Sequence, residues 1–207
     1  GANASEVPAL EQLCKELGVR LVRGPLIFPG DDGDPKPLRE LAGEDQLRRL
    51  SAEQSVDAAV CGRPEVRKPG AGPLCSAGVE RIGIAADGSI YPCDAWRQAV
   101  GNVRVDRLAD IWRESPYLRA LRATRRVHPL ECGGCGAREL CLWCPGLSLR
   151  LMGDASVPNP QDCRRTRVAC TRMEDAEGWT VPGRLLQIDL LGQCGTGRSP
   201  VATTCSD

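Results

Sequence analysis

Apolar residues recur at helical spacing twice in the N-terminal fifty positions, with a strand-like run between the two repeats. The first repeat consists of Val7, Leu10, Leu13, Cys14 and Leu17. Gly18 follows it, and glycine is a common residue at the end of a helix. Residues 19–28 have the apolar content of a strand, and residues 38–50 form the second helical pattern. This order of helix, strand and helix predicts an α/β unit.

The pattern changes to a period of two after Cys75. Residues 79–84 alternate in this way, and residues 90–92 form a second short apolar run. Asp87-Gly88 lies between the two runs, and an Asp-Gly pair favours a tight turn between antiparallel strands. The sequence therefore predicts a short β-hairpin.

Further helices are predicted in the second half of the chain. Asp106 precedes one apolar repeat as a candidate N-cap, and Ser115, followed by proline, precedes the next. Residues 127–157 show little periodicity and are expected to be a loop region, with room for a short helix at 137–141. Residues 161–173 carry the last helical pattern.

Composition and charge exclude several classes of function. The chain has 23 glycines, 16 prolines and 3% aromatic residues, so we expect a loop-rich fold that needs stabilising groups besides its core. Lys plus Arg and Asp plus Glu both number 27, which gives no electrostatic reason to expect nucleic acid as a partner. No membrane span or export signal is recognisable, and we expect a cytoplasmic protein.

Cysteine is the informative residue of this sequence. Eight of the twelve cysteines lie between Cys75 and Cys170. In a reducing compartment such a set more often binds a metal or cluster than forms disulfides. The densest stretch reads Cys132-x2-Cys135-x5-Cys141-x2-Cys144. Spacing of this kind is typical of metal-binding loops. Upstream, Cys75 and Cys93 bracket the predicted hairpin, and Cys163 follows downstream.

This arrangement resembles the seven-cysteine pattern of the SPASM domain, the C-terminal extension of many radical SAM enzymes. The resemblance covers about residues 75–170. The phrases that carry it are Cys75-Ser-Ala-Gly, Asp87-Gly-Ser-Ile-Tyr-Pro-Cys93, Gly101-Asn102, Leu108-Ala-Asp-Ile-Trp112 and Cys144-Pro-Gly-Leu. One spacing differs, because the family usually has three residues before the last cysteine of the central motif and this chain has two.

The resemblance implies two auxiliary 4Fe-4S clusters. The outer cluster would be held by Cys132, Cys135, Cys141 and Cys163. The inner cluster would be held by Cys75, Cys93 and Cys144. Its fourth ligand is either Cys61 or a position left open for substrate. The remaining cysteines, Cys14, Cys170, Cys194 and Cys205, are interpreted as core or surface thiols.

The fold class implied is α+β, with a small β-hairpin, helices and cysteine-rich loops around the two clusters. Residues 1–60 would be the last α/β segment of a partial TIM-like barrel, and residues 61–74 a linker. Residues 75–173 would be the SPASM-like domain, and residues 174–207 remain an unassigned tail.

The sequence contains no Cys-x3-Cys-x2-Cys motif, which in radical SAM enzymes holds the cluster that binds S-adenosylmethionine. The resemblance therefore implies the C-terminal part of a maturase that modifies a ribosomally synthesised peptide, with S-adenosylmethionine bound only in the full-length parent. Its partners would be the peptide substrate and a radical SAM core, and its clusters would transfer electrons and dock the substrate. A stand-alone cluster-binding partner protein and a zinc-stabilised interaction domain are the alternatives.

Overall fold

The computed structural model describes residues 4–21, 26–52, 72–138, 140–141 and 143–177, with only the backbone described at residues 4, 50–52 and 172–177. Over these residues the six α-helices are α1 (Val7–Glu16), α2 (Glu44–Ala52), α3 (Leu108–Glu114), α4 (Pro116–Ala123), α5 (Pro145–Met152) and α6 (Pro160–Glu177). Short 3-10 helices span Ala4–Glu6, Lys36–Glu40 and Leu130–Gly134. The strands are β1 (Gly83–Ile84), β2 (Ser89–Tyr91) and β3 (Gly101–Asn102). The α+β class is confirmed.

The three strands form one antiparallel sheet in the order β1, β2, β3. The predicted hairpin is confirmed, and its turn contains Gly88 with φ +88°. The Asp87 carboxylate accepts hydrogen bonds from the Ser89 backbone N–H at 2.9 Å and hydroxyl at 3.0 Å, which fixes the turn. Ile90 on the central strand is fully buried and lies opposite Gly101 of β3, a strand that the sequence did not predict.

Helix α4 begins as the sequence predicts, and helix α3 does not. The Ser115 hydroxyl accepts a hydrogen bond from the Leu118 N–H at 3.4 Å, and Leu118 is fully buried. Asp106 was expected to cap α3, but its carboxylate accepts instead from the Asn102 N–H at 2.8 Å. Helix α3 follows Arg107 without a side-chain cap, so the aspartate holds the end of the sheet.

The hydrophobic core contacts the cysteines directly. Its buried members are Leu74, Ala77, Trp96, Leu121 and Trp143. Cys75, Cys93 and Cys141 pack against this cluster as half-buried neighbours. The thiols therefore belong to the packed interior of the domain.

The predicted strand at residues 19–28 is wrong for the part that the structure describes, because residues 19–21 and 26–28 are not in a strand. The backbone of Ile27 is paired with a side chain. Its N–H donates to Gln161 Oε1 at 3.2 Å, and its carbonyl accepts from Gln161 Nε2 at 2.6 Å. The backbone groups that a neighbouring strand would satisfy are thus satisfied by α6. The described residues do not confirm a partial barrel.

The second predicted helix, over residues 38–50, is divided in two. A 3-10 helix spans Lys36–Glu40, and α2 starts at Glu44 after an interruption that contains Gly43. Helix α2 packs against α6, so the N-terminal segment is attached to the cysteine-bearing region. Most of the predicted linker at 61–74 and the tail beyond residue 177 lie outside the described residues.

Helix α5 is the main correction to the sequence prediction. Residues 127–157 were expected to form a loop region, yet α5 occupies Pro145–Met152. Its signals are a proline at the first helical position and Gly153, with φ +75°, after the last. Helix α6 confirms the predicted helix at residues 161–173. Among the described helices, none combines the length and apolar character that crossing a membrane would demand.

Candidate metal centre

Four cysteines form a group in which the thiols interact electrostatically, and we call them the outer group: Cys132, Cys135, Cys141 and Cys163. Burial, reinforced by Cys141 and Cys135, raises the pKa of Cys132 to about 12. Burial, reinforced by Cys141, Cys132, Asp162 and Cys135, raises the pKa of Cys163 to about 12. These thiols are protonated at neutral pH unless a cation stabilises the thiolates, as metal binding does.

Local backbone structure places the outer group. Cys132 lies within the 3-10 helix Leu130–Gly134 and Cys135 directly follows it, with the Cys135 N–H donating to the Cys132 carbonyl at 3.0 Å. Cys163 is in the first turn of α6, one turn before Thr166. The Thr166 hydroxyl donates to Cys141 Sγ at 3.3 Å, which connects the cysteine loop to this helix.

The inner group consists of Cys75, Cys93 and Cys144. Burial, reinforced by Asp162, Cys93 and Cys75, raises the pKa of Cys144 to about 11. Burial also raises the pKa of Cys93, with a smaller contribution from Cys75. The structure thus brings Cys144 to the two cysteines that bracket the hairpin, although its spacing differs from the family pattern by one residue.

Two glycines permit the close approach that forms the inner group. A Cβ at Gly146 would lie 3.1 Å from the Ala95 carbonyl carbon and from the Trp96 nitrogen. A Cβ at Gly83 would lie 3.2 Å from the Cys93 carbonyl carbon. Helix α5 and strand β1 therefore contact the segment that begins at Cys93 backbone to backbone, at distances that a side chain larger than hydrogen would force apart.

Buried Arg126 connects the two groups through backbone carbonyls. One guanidinium nitrogen donates to the Leu74 carbonyl, directly before Cys75, at 3.2 Å. The other terminal nitrogen donates to the Cys141 carbonyl at 3.1 Å. Arg126 is 5% exposed, so its charge acts with little screening by water.

The nine cysteines described are free thiols. Within the described ranges, no three histidine, cysteine, aspartate or glutamate side chains already converge on a point where one metal ion would bind. The thiolates of a four-iron cluster each bind a different iron, so they surround a volume and need not meet at one point. Thiolates are soft ligands that bind iron–sulfur clusters, and the free thiols of the outer and inner groups are therefore suitable ligands for such clusters. The ligand assignment itself stays a prediction, and Cys61 lies outside the described residues.

A cavity of about 680 Å³ lies beside the cysteines. Its walls include Trp96, Tyr117 and Trp143, and the Trp96 indole N–H donates to the Tyr117 hydroxyl at 2.7 Å. Leu74 and Trp143, which directly precede Cys75 and Cys144, also face it. His128 lines the same space, and burial, followed by Arg126 and Arg138, lowers its pKa to about 4. The cavity is therefore mostly apolar, with a neutral imidazole at neutral pH.

Sequence reasoning missed the polar residues around the thiols, namely Arg126, Ser148, Asn159 and Asp162. No periodicity or spacing marks them, because their role depends on contacts between segments far apart in the chain. The one available signal is the position of Asp162, directly before Cys163.

Comparison with known proteins identifies a family for part of the cysteine-bearing region. Residues 75–136 match the SPASM family, described as an iron-sulfur cluster-binding domain. Two curated AdoMet-dependent heme synthases are similar over 86 residues, with 30% identity for that of Oleidesulfovibrio alaskensis and 29% for that of Nitratidesulfovibrio vulgaris. The similarity covers 42% of this chain but 22% and 23% of those relatives, so the chain matches less than a quarter of their length. No solved structure matches the chain. Residues 75–136 are therefore a SPASM iron-sulfur cluster-binding domain.

Proposed function

We propose that this chain is the C-terminal part of a radical SAM enzyme that modifies a ribosomally synthesised peptide, with two auxiliary 4Fe-4S clusters for electron transfer and substrate docking. The observation that carries the proposal is the separation of seven cysteines into an outer group of four and an inner group of three. A reducing, cytoplasmic location belongs to the proposal, because both groups must remain free thiols to bind iron.

Each group of cysteines would bind one cluster. Cys132, Cys135, Cys141 and Cys163 would bind the outer cluster, which four thiolates complete. Cys75, Cys93 and Cys144 would bind the inner one, with Cys61 or a substrate group at the fourth iron. When bound, such clusters accept or donate single electrons. The packing of Cys75, Cys93 and Cys141 against the core would limit the access of water to the bound clusters.

Substrate docking is supported by the cavity beside the inner group. Three aromatic rings and Leu121 make its walls apolar, which suits an apolar side chain of a peptide. Arg125, Glu131 and Asp154 also line the cavity and offer one positive and two negative groups to a peptide backbone or terminus. Because these 207 residues contain no Cys-x3-Cys-x2-Cys motif, S-adenosylmethionine would be bound by a radical SAM core that they do not include.

A second candidate substrate is a tetrapyrrole, since the two similar curated proteins are named heme synthases. This alternative predicts that a fluorescent metal-free porphyrin binds in the cavity. The substitution Ala120→Trp, at an exposed position on the cavity wall, should then weaken binding severalfold without changing iron content. Fluorescence titration measures both affinities. Equal porphyrin affinity in the two proteins, or none in either, would leave the peptide as the better-supported substrate.

The proposal predicts that the chain, reconstituted without oxygen, binds about eight iron and eight sulfide, because two four-iron clusters are expected. The measurement is colorimetric analysis of iron and sulfide, together with an absorption band at about 400 nm that dithionite bleaches. Stoichiometric zinc without iron uptake would favour the zinc-stabilised interaction domain. A content of about four iron would show one cluster and contradict the two-cluster assignment.

A further inference from the structure

A buried carboxylate lies between the two cysteine groups. Asp162 is 1% exposed and directly precedes Cys163 of the outer group. Its Oδ2 accepts a hydrogen bond from the backbone N–H of Cys144, an inner-group cysteine, at 2.7 Å. Asp162 therefore contacts the backbone of Cys144 in the inner group and is the chain neighbour of Cys163 in the outer group.

The rest of the network fixes this carboxylate in place. Fully buried Asn159 donates to Asp162 Oδ2 at 2.6 Å, and its own side-chain oxygen accepts from the Asp162 N–H at 2.9 Å. Asn159 also donates to the Ser148 hydroxyl at 3.1 Å, which accepts from the Trp143 indole at 2.9 Å. Arg165 donates to Asp162 Oδ1 at 2.5 Å and is the cation that pairs with it.

We propose that Asp162 is a positioning residue that sets the reduction potentials of both auxiliary clusters, with Arg165 as its opposing charge. The inference rests on the proposed function, since it needs the two cysteine groups to hold clusters. Asp162 positions Cys144 through its backbone N–H and Cys163 through the first turn of α6. Its negative charge acts on both sites through an interior where water does not screen it.

The sign of the effect follows from electrostatics. One-electron reduction adds a negative charge to a cluster, and a nearby buried carboxylate makes that addition less favourable. Removing the charge should therefore raise the midpoint potentials of both clusters. Arg165 has the opposite sign and is 22% exposed in its side chain, so its removal should lower both potentials.

The test is a redox titration of the anaerobically reconstituted chain, followed by electron paramagnetic resonance, in D162N, D162E, R165Q and unmodified protein. Asparagine retains an oxygen that can accept from Cys144 and Asn159, and its NH2 then faces Arg165, so D162N removes the negative charge together with the hydrogen bond to Arg165. We expect D162N to shift both midpoints to more positive values, R165Q to shift them to more negative values, and D162E to remain closer to the unmodified protein than D162N. Asp110→Asn, at an exposed position of α3, makes the same chemical change as a control and should shift neither.

The iron content of the same samples distinguishes failure of the proposed function from failure of the role assigned to Asp162. An unmodified chain that binds no iron would overturn the proposed function and this inference with it. Unmodified and D162N proteins with equal iron content and equal midpoints would overturn the role of Asp162 alone, and so would an equal shift in the Asp110 control. If D162N binds too little iron to titrate, R165Q decides, and unchanged midpoints in R165Q would overturn the inference.

Discussion

A Cys132→Ala variant is expected to bind about half of the iron and sulfide of the unmodified chain, because it removes one ligand of one four-iron cluster and leaves the inner group intact. Cys132 is among the most buried of the candidate ligands and interacts with Cys141 and Cys135. An alanine there leaves three thiols for a cluster that four thiols complete. Iron analysis after anaerobic reconstitution gives the stoichiometry.

The complementary variant is Cys93→Ala, which should lose the inner cluster and retain the outer one. The two losses are expected to be distinguishable by electron paramagnetic resonance, because the remaining cluster differs in each protein. Cys14→Ala makes the same change on helix α1, outside both groups, and should retain the full iron content. Loss of all iron from both Cys132→Ala and Cys93→Ala would mean that the two groups do not form independent sites.

The substitution Gly146→Ala is expected to destabilise the domain and to lower the occupancy of the inner cluster selectively. The added Cβ would lie 3.1 Å from the backbone at Ala95 and Trp96, and neither atom belongs to a flexible side chain that could move away. Relieving this close contact requires α5 and the segment after Cys93 to move apart, and Cys144, at the start of α5, is displaced relative to Cys93 and Cys75. Overpacking of this kind costs about 1–3 kcal/mol of unfolding free energy.

Chemical denaturation and iron analysis of the same preparation test this expectation. Gly43→Ala is a suitable control, because a Cβ at Gly43 has nothing within 4 Å and this position has no positive φ. The control should retain both stability and iron. A Gly146→Ala protein with unchanged stability and full iron content would show that close approach of α5 is not what forms the inner group.

Several features could be predicted because their signals are local. The hairpin follows from Asp87-Gly88 between two short runs, and the Asp87 carboxylate indeed fixes the turn. Helix α1 and its glycine stop follow from apolar spacing, and Ser115 caps α4 as its sequence position indicates. The SPASM domain was recognised in the sequence from the spacing of its cysteines, all of which lie between Cys75 and Cys163.

Other features were missed or wrong because local pattern does not contain them. The apolar run at residues 19–28 resembles a strand, but a strand needs a neighbouring strand, and Ile27 pairs with Gln161, 134 positions away. Helix α5 has local signals in Pro145 and Gly153, but it lacks a Ser, Thr, Asp or Asn cap; its N-cap is Cys144, whose Sγ accepts from the Leu147 N–H at 3.4 Å. A loop prediction at this position was therefore reasonable from the sequence and incorrect in the structure.

The sequence by itself determined which residues are the candidate ligands, since thiol chemistry and spacing are properties of the chain. The tertiary structure alone decided which charges surround them. The packing of α6 places Asp162 and Arg165 beside the cysteines, and the loop before the 3-10 helix Leu130–Gly134 does the same for Arg126. The physical reason is that electrostatic interaction depends on distance and burial, and both arise only when distant segments exclude water together.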